Sequence, residues 1–274
     1  MRAITNIITR SKKYIKIYTH FWKVGLSLAT MYRTDTLMLL FGVILMLAVN
    51  ITFFWLIFGT TPEIGGWNIY EMILLFGVYH ANWGILKLFY GRTMENVIEK
   101  VFNGQYDFYL LKPISSRFIA YTLPPNFKGI PSTTASIIFF FVGFSNVDVT
   151  VTAQNILVLV GYCLLGQLAA FSFLQLAVSS SFLSGRSEEV FGVIENAWLY
   201  AGYPGNVFTG KVFALLTYIV PITIFASYPT ALFLGKIDFS FKNLLIPVVV
   251  ALGSFLISNA FYKFGVKNYT SASS

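Results

Sequence analysis

Long runs of apolar residues occupy most of the chain and predict six membrane-spanning helices. The runs cover residues 36–58, 72–90, 118–144, 156–183, 212–233 and 244–261. A hydrocarbon core about 30 Å thick requires roughly 20 mainly apolar residues in a helix that rises about 1.5 Å per residue. We therefore expect an all-α integral membrane protein that forms one transmembrane domain over residues 1–274.

Polar residues and prolines make some of these runs irregular. The second run contains His80, Asn82 and Lys87, so one of its faces is expected to avoid lipid and to pack on protein or line a polar cavity. The third contains Pro124, Pro125 and Pro131, and proline removes a backbone donor, so this helix is expected to bend, break or begin late. The fifth contains Pro221 and Pro229. The apolar stretch 190–203 holds Glu195 and is expected to form only a short helix, because it is too short to cross alone.

The first 30 residues have the pattern of a helix that lies in the membrane interface. Lysines fall on one helical face and Ile, Tyr and Trp side chains on the other, which favours contact with anionic headgroups and the hydrocarbon boundary respectively. The residues concerned are Lys12, Lys13, Lys16, Lys23 and Trp22. Packing of this helix on a soluble partner remains the alternative.

A second amphipathic helix is predicted over residues 92–102, directly after the second span. Apolar residues recur at i, i+3, i+4 and i+7, two glutamates lie off that stripe, and Asn103-Gly104 supplies a helix stop. The stripe is Met94, Val97, Ile98 and Val101, and the glutamates are Glu95 and Glu99. Such a helix either caps the bundle or presents a lever surface to a soluble partner.

The distribution of basic residues predicts the orientation. Only 11% of the residues are charged, against roughly a quarter in soluble domains. Fifteen Lys and Arg residues fall in residues 1–35, the loop 92–117, the region 186–211 and the tail, whereas the opposite loops contain only Lys236 and Lys242. Basic loops are retained in the cytoplasm, so both termini are expected there, in a multi-pass protein of the plasma (inner) membrane. The net charge of +8 follows from this topology, and a nucleic-acid partner is not expected.

No pattern in the chain supports catalysis. Residues 205–212, GNVFTGKV, miss the phosphate-binding motif because Val212 stands where a Ser or Thr would ligate magnesium. Two histidines and one cysteine, Cys163, exclude an intrachain disulfide and a cysteine-rich or histidine-rich metal site. His80 and Lys87 lie two helical turns apart, which fits either a polar pathway or polar groups bonded by a neighbouring helix.

Three signatures give the chain a resemblance to the permease subunits of type-2 ATP-binding cassette (ABC) exporters. The first is the loop NGQYDFYLLKP at 103–113. The second comprises Tyr203-Pro204, IVP at 219–221 and Tyr228-Pro229, and the third is the tail YTSASS at 269–274. They occur in order across nearly the whole chain. The resemblance implies the type-2 exporter permease fold, with the N-terminal helix along the cytoplasmic interface.

The resemblance also implies partners and roles. It implies a second permease subunit, identical or a paired relative, and two copies of a separate ATPase subunit that binds ATP and magnesium. Glu95, Val97, Ile98 and Glu99 would then contact the ATPase. A cargo route along the second and fifth spans would involve His80, Asn82, Pro221 and Pro229. Lipids, peptides, glycans and drug-like molecules all remain possible cargo.

Two other classes compete with this interpretation. An ion-gradient-driven secondary transporter or channel would use His80 and Lys87 as titrating groups and would need no ATPase. A membrane-embedded enzyme would show clustered acids and histidines near one interface, and the sequence has no such cluster.

Overall fold

The computed structural model describes residues 2–31, 33–122, 127–185 and 187–270, and these are almost entirely helical. No β-strand occurs in these ranges beyond a single bridge between Ile64 and Trp67. The α-helices are α1 (Arg2–Met31), α2 (Arg33–Phe58), α3 (Ile69–Leu86), α4 (Arg92–Phe102), α5 (Asp107–Leu110), α6 (Ser116–Tyr121), α7 (Ile130–Asn146), α8 (Ala153–Ser184), α9 (Glu188–Ala197), α10 (Gly210–Ala214), α11 (Ile222–Phe225), α12 (Ser227–Phe233) and α13 (Phe241–Lys267).

Four stretches of the described chain are long and apolar enough to cross a membrane. They are Leu37–Phe58, Ile69–Phe102, Ala153–Ser184 and Phe241–Lys267, and Ile130–Asn146 and Gly210–Ile219 are shorter apolar helices. The second stretch is continuous because a π-helical turn, Lys87–Gly91, joins α3 to α4. The all-α membrane fold predicted from the sequence is therefore confirmed, and the helix that precedes this turn is mostly buried by other helices.

The third predicted span begins late. Pro124 and Pro125 lie outside the described residues, and α6 ends at Tyr121. The helix α7 starts at Ile130 and carries Pro131 in its first turn, where a proline costs no hydrogen bond because the first N–H groups of a helix have no partner within it.

The helices α3 and α7 approach each other closely along a line of glycines. A Cβ atom placed on Gly77 would lie only 2.7 Å from the backbone nitrogen of Phe140, and one on Gly143 would lie 2.6 Å from the backbone nitrogen of Leu74. Small residues let helix backbones meet in this way. The close approach of α3 and α7 therefore depends on glycines, which have no side chain at the contact.

The prediction of one helix over residues 212–233 does not hold. This region contains α10, a π-helical turn at Leu215–Ile219, and the short helices α11 and α12. The break falls at Val220 and Pro221, where ψ is 86° and 56°, because proline cannot donate to the preceding turn.

Both ends of this region return to the same end of the bundle. The side-chain amide of Asn206 donates to the carbonyl of Gly65 at 2.6 Å, and the ammonium group of Lys236 donates to that of the adjacent Gly66 at 2.7 Å. Residues 205–236, which we call the hairpin segment, therefore leave and re-enter one end of the molecule. We call that end the hairpin end.

The chain reaches the hairpin end through residues 188–204. Ser187, at the start of α9, accepts a hydrogen bond from Ser180 in the last turns of α8. The helix continues as a 3₁₀ turn over Trp198–Gly202. Residues 188–204, whose apolar part is predicted to be too short to cross a membrane alone, thus connect the two ends of the bundle. Lys211, which the charge distribution predicts on the cytoplasmic side, lies in the hairpin segment and therefore at the hairpin end.

Two carbonyl groups that have no donor within their helix, one because of a proline and one at a helix end, are bonded by side chains from elsewhere. In α13, Pro247 has no N–H for the carbonyl of Asn243, and the hydroxyl of Tyr228 donates to that carbonyl at 2.8 Å. Phe225 is the last residue of α11, where helix carbonyls lack a donor within the helix, and its carbonyl accepts a 2.5 Å hydrogen bond from the amide of Asn82. An unbonded carbonyl inside a bilayer costs several kcal/mol, so these contacts stabilise the helix break and make Pro247 tolerable.

The α3–α7 contact predicts that one glycine substitution destabilises the protein and another does not. Gly77→Ala should lower the thermal unfolding midpoint in detergent, since overpacking costs about 1–3 kcal/mol. Gly161→Ala, in α8, is the control, because no atom lies within 4 Å of the added methyl group. Equal midpoints for the two variants would contradict the close packing.

Candidate functional site

The stripe predicted on α4 is buried by this chain itself. Met94, Val97, Ile98 and Val101 are all buried against α8, α6 and α9. The hydroxyl of Thr93 on the same helix donates to the carbonyls of Tyr90 and Tyr121. The stripe therefore anchors the helix to the bundle.

This burial corrects the expected contacts of the helix. Val97 and Ile98 are enclosed within the subunit and present no surface to a partner. Glu99 is exposed, whereas Glu95 is half-buried and bonded to Arg92 at 2.7 Å. Of the residues expected to meet an ATPase, only the glutamates remain accessible.

The loop after α4 is held rigidly by one tyrosine. Gly104 adopts a left-handed conformation with φ of 67° and turns the chain back, so that Tyr106 is fully buried. Its hydroxyl is 2.7 Å from that of Tyr262 in α13, and its ring packs edge-on against Phe182 in α8. Burial raises the pKa of the Tyr106 phenol, which therefore stays neutral. The NGQYDFYLLKP signature thus links the loop to two long helices.

Large apolar side chains of the same loop face outward. Phe108 is 66% exposed and Leu111 is 81% exposed. With Glu99 they form what we call the loop patch, at the end of the bundle opposite the hairpin end. The sequence pattern of α4 did not indicate this patch, because Phe108 and Leu111 follow the helix rather than lie on its stripe.

Aromatic contacts fasten α1 to the same end. The ring of Tyr14 packs edge-on against Phe118 with 4.5 Å between centroids, and Trp22 lies 5.4 Å from Phe89. Lys12, Lys13, Lys16 and Lys23 are exposed. Aromatic residues of the helix therefore face the bundle, and its lysines face away from it.

The two polar residues predicted in the second span have different surroundings. Asn82 is buried and joins a chain of hydrogen bonds, because Gln167 in α8 donates to both its carbonyl and its side-chain oxygen, and Tyr90 donates to Gln167. His80 is buried among rings and stacks on Phe139 at 5.6 Å. Among the described residues neither of its ring nitrogens has a hydrogen-bond partner.

Lys87 is bonded to a side chain of another helix. Its ammonium group lies 2.6 Å from a carboxylate oxygen of Glu195 in α9 and 5.1 Å from the centre of the Trp83 ring. Both charged side chains are about a quarter exposed, so the pair lies at the edge of the bundle. This arrangement favours a structural contact between α3 and α9.

Two further charged sites were not apparent from the sequence. Arg117 bonds to Gln175 and lies over the ring of Tyr262 at 5.0 Å, with no carboxylate paired to it in the described chain. Lys236 pairs with Glu71 at 2.9 Å. Both sites join residues far apart in sequence, which spacing alone cannot reveal.

Most of the chain matches a known transporter family. Residues 44–273 match the family model described as ABC-2 family transporter protein. The chain belongs to this family. A comparison with curated proteins found no match.

Membership in the ABC-2 family identifies the chain as a permease component of an ABC transporter in a membrane. Such a component is not itself catalytic. Within the described chain, no group of three or more His, Cys, Asp and Glu side chains is placed to hold a metal ion. The features described above are surfaces and helix contacts.

Two substitutions on α4 should separate its anchoring face from its outer face. Val97→Asp places a charge in a buried apolar contact and should cost on the order of 3 kcal/mol or more, seen as a lower unfolding midpoint in detergent. Glu99→Lys, on the exposed side, should change stability by less than about 0.5 kcal/mol. A stable Val97→Asp variant would show that the stripe is not the anchor.

Proposed function

We propose that this chain is the permease subunit of an ATP-driven exporter, and that a separate ATPase subunit binds the loop patch. The observation that carries the proposal is the pairing of two opposite properties at one place. The patch exposes Phe108 and Leu111, yet Tyr106 ties the loop that carries them to α8 and α13. A push on this loop would move long helices rather than deform a flexible turn.

The contacts of α4 extend this path into the bundle. Its buried face packs against α8 and α9, and the π-helical turn that precedes it begins at Lys87, which pairs with Glu195 in α9. The chain of hydrogen bonds through Asn82 continues to the hairpin segment at Phe225. Motion of α4 would therefore be transmitted to α3, α8, α9 and the hairpin segment.

The complete transporter would contain two permeases, identical or paired relatives, and two ATPase subunits that bind ATP and magnesium. ATP binding would close the ATPases, move the two loop patches and open the permease pair outward by alternating access. Such a shift requires ATP to bind one conformation more tightly than the other. The cargo would be a lipid, peptide, glycan or drug-like molecule that passes between the two permeases. From the same resemblance we propose that the cargo route runs along the second span and the hairpin segment. The residues concerned are His80, Asn82, Pro221 and Pro229.

The placement of charges supports a cytoplasmic position for the loop patch. Lys12, Lys13, Lys16 and Lys23 are exposed on α1 at this end, which suits contact with anionic lipid. The hairpin end carries Lys211, Lys236 and Lys242, and Lys236 is neutralised by Glu71. The positive-inside rule then places both termini in the cytoplasm of a multi-pass plasma (inner) membrane protein.

The loop patch predicts that charge at its centre releases the ATPase. Leu111→Glu and Phe108→Glu should lower the amount of ATPase that copurifies with the chain by about tenfold or more, since burial of a carboxylate in an apolar contact costs more than about 1.4 kcal/mol. ATP-dependent transport by these variants should fall by the same factor as the amount of bound ATPase.

Val151→Glu is the matched control, since Val151 is an exposed apolar residue in the turn between α7 and α8. If the Leu111→Glu and Val151→Glu variants copurified with equal amounts of ATPase, the loop patch would not be part of the ATPase interface. Cargo movement by the chain alone in liposomes under a proton gradient would instead support a secondary transporter and overturn the proposal.

Topology offers a second test, because the hairpin segment and a fifth span over 212–233 predict different labelling. In a Cys163→Ser background, Lys211→Cys and Asp238→Cys should both react with a membrane-impermeant maleimide added to intact cells. Glu99→Cys and Lys112→Cys should react only after lysis. If only one of Lys211→Cys and Asp238→Cys reacted, the result would support a fifth membrane span over residues 212–233 and contradict the hairpin segment.

A further inference from the structure

A cavity lies at the hairpin end between the hairpin segment and the first turns of α13. Its volume is about 360 Å³, and the polar part of its wall includes Tyr218, Asp238, Lys242 and Asn243. A second cavity of about 280 Å³ shares Tyr218, Lys242 and Ile246 with the first. The two spaces therefore adjoin, and Lys242 stands where they meet.

The second cavity has an apolar wall that follows one face of α13. It is lined by Leu245, Ile246, Val249 and Val250, and with Lys242 these residues recur at i, i+3, i+4, i+7 and i+8. From Lys242 to Val250 the helix rises about 12 Å, close to the roughly 15 Å depth of one leaflet of a bilayer core. A polar compartment at the helix start thus continues into an apolar one of leaflet depth.

Hydrogen bonds fix the walls of this site in advance. The hydroxyl of Tyr228 donates to the carbonyl of Asn243, and that of Tyr162 donates to the carbonyl of Leu244 at 2.7 Å. The two tyrosine rings stack on each other. The start of α13 is therefore held against α8 and the hairpin segment, so a ligand would meet a formed site.

The polar compartment carries one charge of each sign with no ion-pair partner in the described chain. Lys236 is paired with Glu71, but neither Lys242 nor Asp238 forms a salt bridge with any described residue. Both residues are exposed at the cavity. A ligand that complements them has a negative group for Lys242, a positive group for Asp238 and a long apolar portion.

From these features we propose that the site binds phosphatidylethanolamine from the leaflet at the hairpin end. The phosphate bonds to Lys242, the ammonium group bonds to Asp238, and an acyl chain lies along Leu245, Ile246, Val249 and Val250. A lipid with a net negative head, such as phosphatidylglycerol, meets the carboxylate of Asp238 without a compensating ammonium group. The proposal requires α13 to lie in a bilayer but does not require transport, so its failure leaves the proposed permease function intact.

Native mass spectrometry of the full chain, purified in detergent, tests the proposal. Phosphatidylethanolamine and phosphatidylglycerol with the same acyl chains are titrated separately, and phosphoethanolamine alone serves as the head without chains. The wild-type chain should retain phosphatidylethanolamine most tightly. Lys242→Gln should weaken that binding by about tenfold, the effect of one charge-assisted hydrogen bond. Asp238→Asn should abolish the preference over phosphatidylglycerol.

Matched controls lie on the same helix. Lys263→Gln makes the same charge change at the other end of α13, where Lys263 is exposed, and should bind lipid like the wild type. Val249→Trp should block the apolar groove, whereas Leu256→Trp, seven residues further along the same helical face, should not. Val249 and Leu256 are 58% and 68% exposed, so both variants should fold.

Several results would overturn the site. Equal weakening by Lys242→Gln and Lys263→Gln would show unspecific attraction between lysines and lipid heads. Equal behaviour of Val249→Trp and Leu256→Trp would exclude the groove. Tighter binding of phosphatidylglycerol by the wild type would reject the assigned head, and binding of phosphoethanolamine as tight as that of the lipid would point to a site for soluble phosphate compounds.

Discussion

The rule that a backbone carbonyl in a bilayer must find a donor within the protein governs this structure. The end of α11 leaves the carbonyl of Phe225 without a donor and Pro247 leaves that of Asn243 without one, and Asn82 and Tyr228 supply the missing hydrogen bonds. These two bonds join α3 to the hairpin segment and the hairpin segment to α13. The part of the hairpin segment that contains the break between α11 and α12, residues 221–233, is buried by protein, as non-helical backbone at membrane depth must be.

The requirement that buried polar groups be hydrogen-bonded also determines the proposed coupling path. Gln167 bonds to Asn82 and to Tyr90, so the residue that serves the carbonyl of Phe225 is itself connected to the turn before α4. The anchored stripe of α4 and the buried Tyr106 hold the loop patch on this framework. In the proposed mechanism, a displacement at the patch would be carried by packed helices and hydrogen bonds, which have few intermediate arrangements.

Charged side chains are placed where water or an aromatic ring can reach them. Lys87 and Glu195 form a partly exposed pair beside Trp83, and Arg117 lies over Tyr262. Aromatic faces stabilise cations without introducing a second charge. At the hairpin end Lys242 and Asp238 have no ion pair among the described residues, and both line a cavity, which is why we propose a ligand there.

The sequence by itself determined the membrane class, the family signatures and the bounds of α4, because hydropathy, helical period and a helix stop act over short distances. It also indicated that prolines bend, break or delay the third span, and the structure shows a late start. Only the tertiary structure decided that residues 205–236 return to one end, that Val97 and Ile98 face inward, and that His80 lies among rings. These outcomes depend on pairs such as Asn82 with Phe225 and Tyr106 with Tyr262, which are distant along the chain, and a local pattern carries no information about such partners.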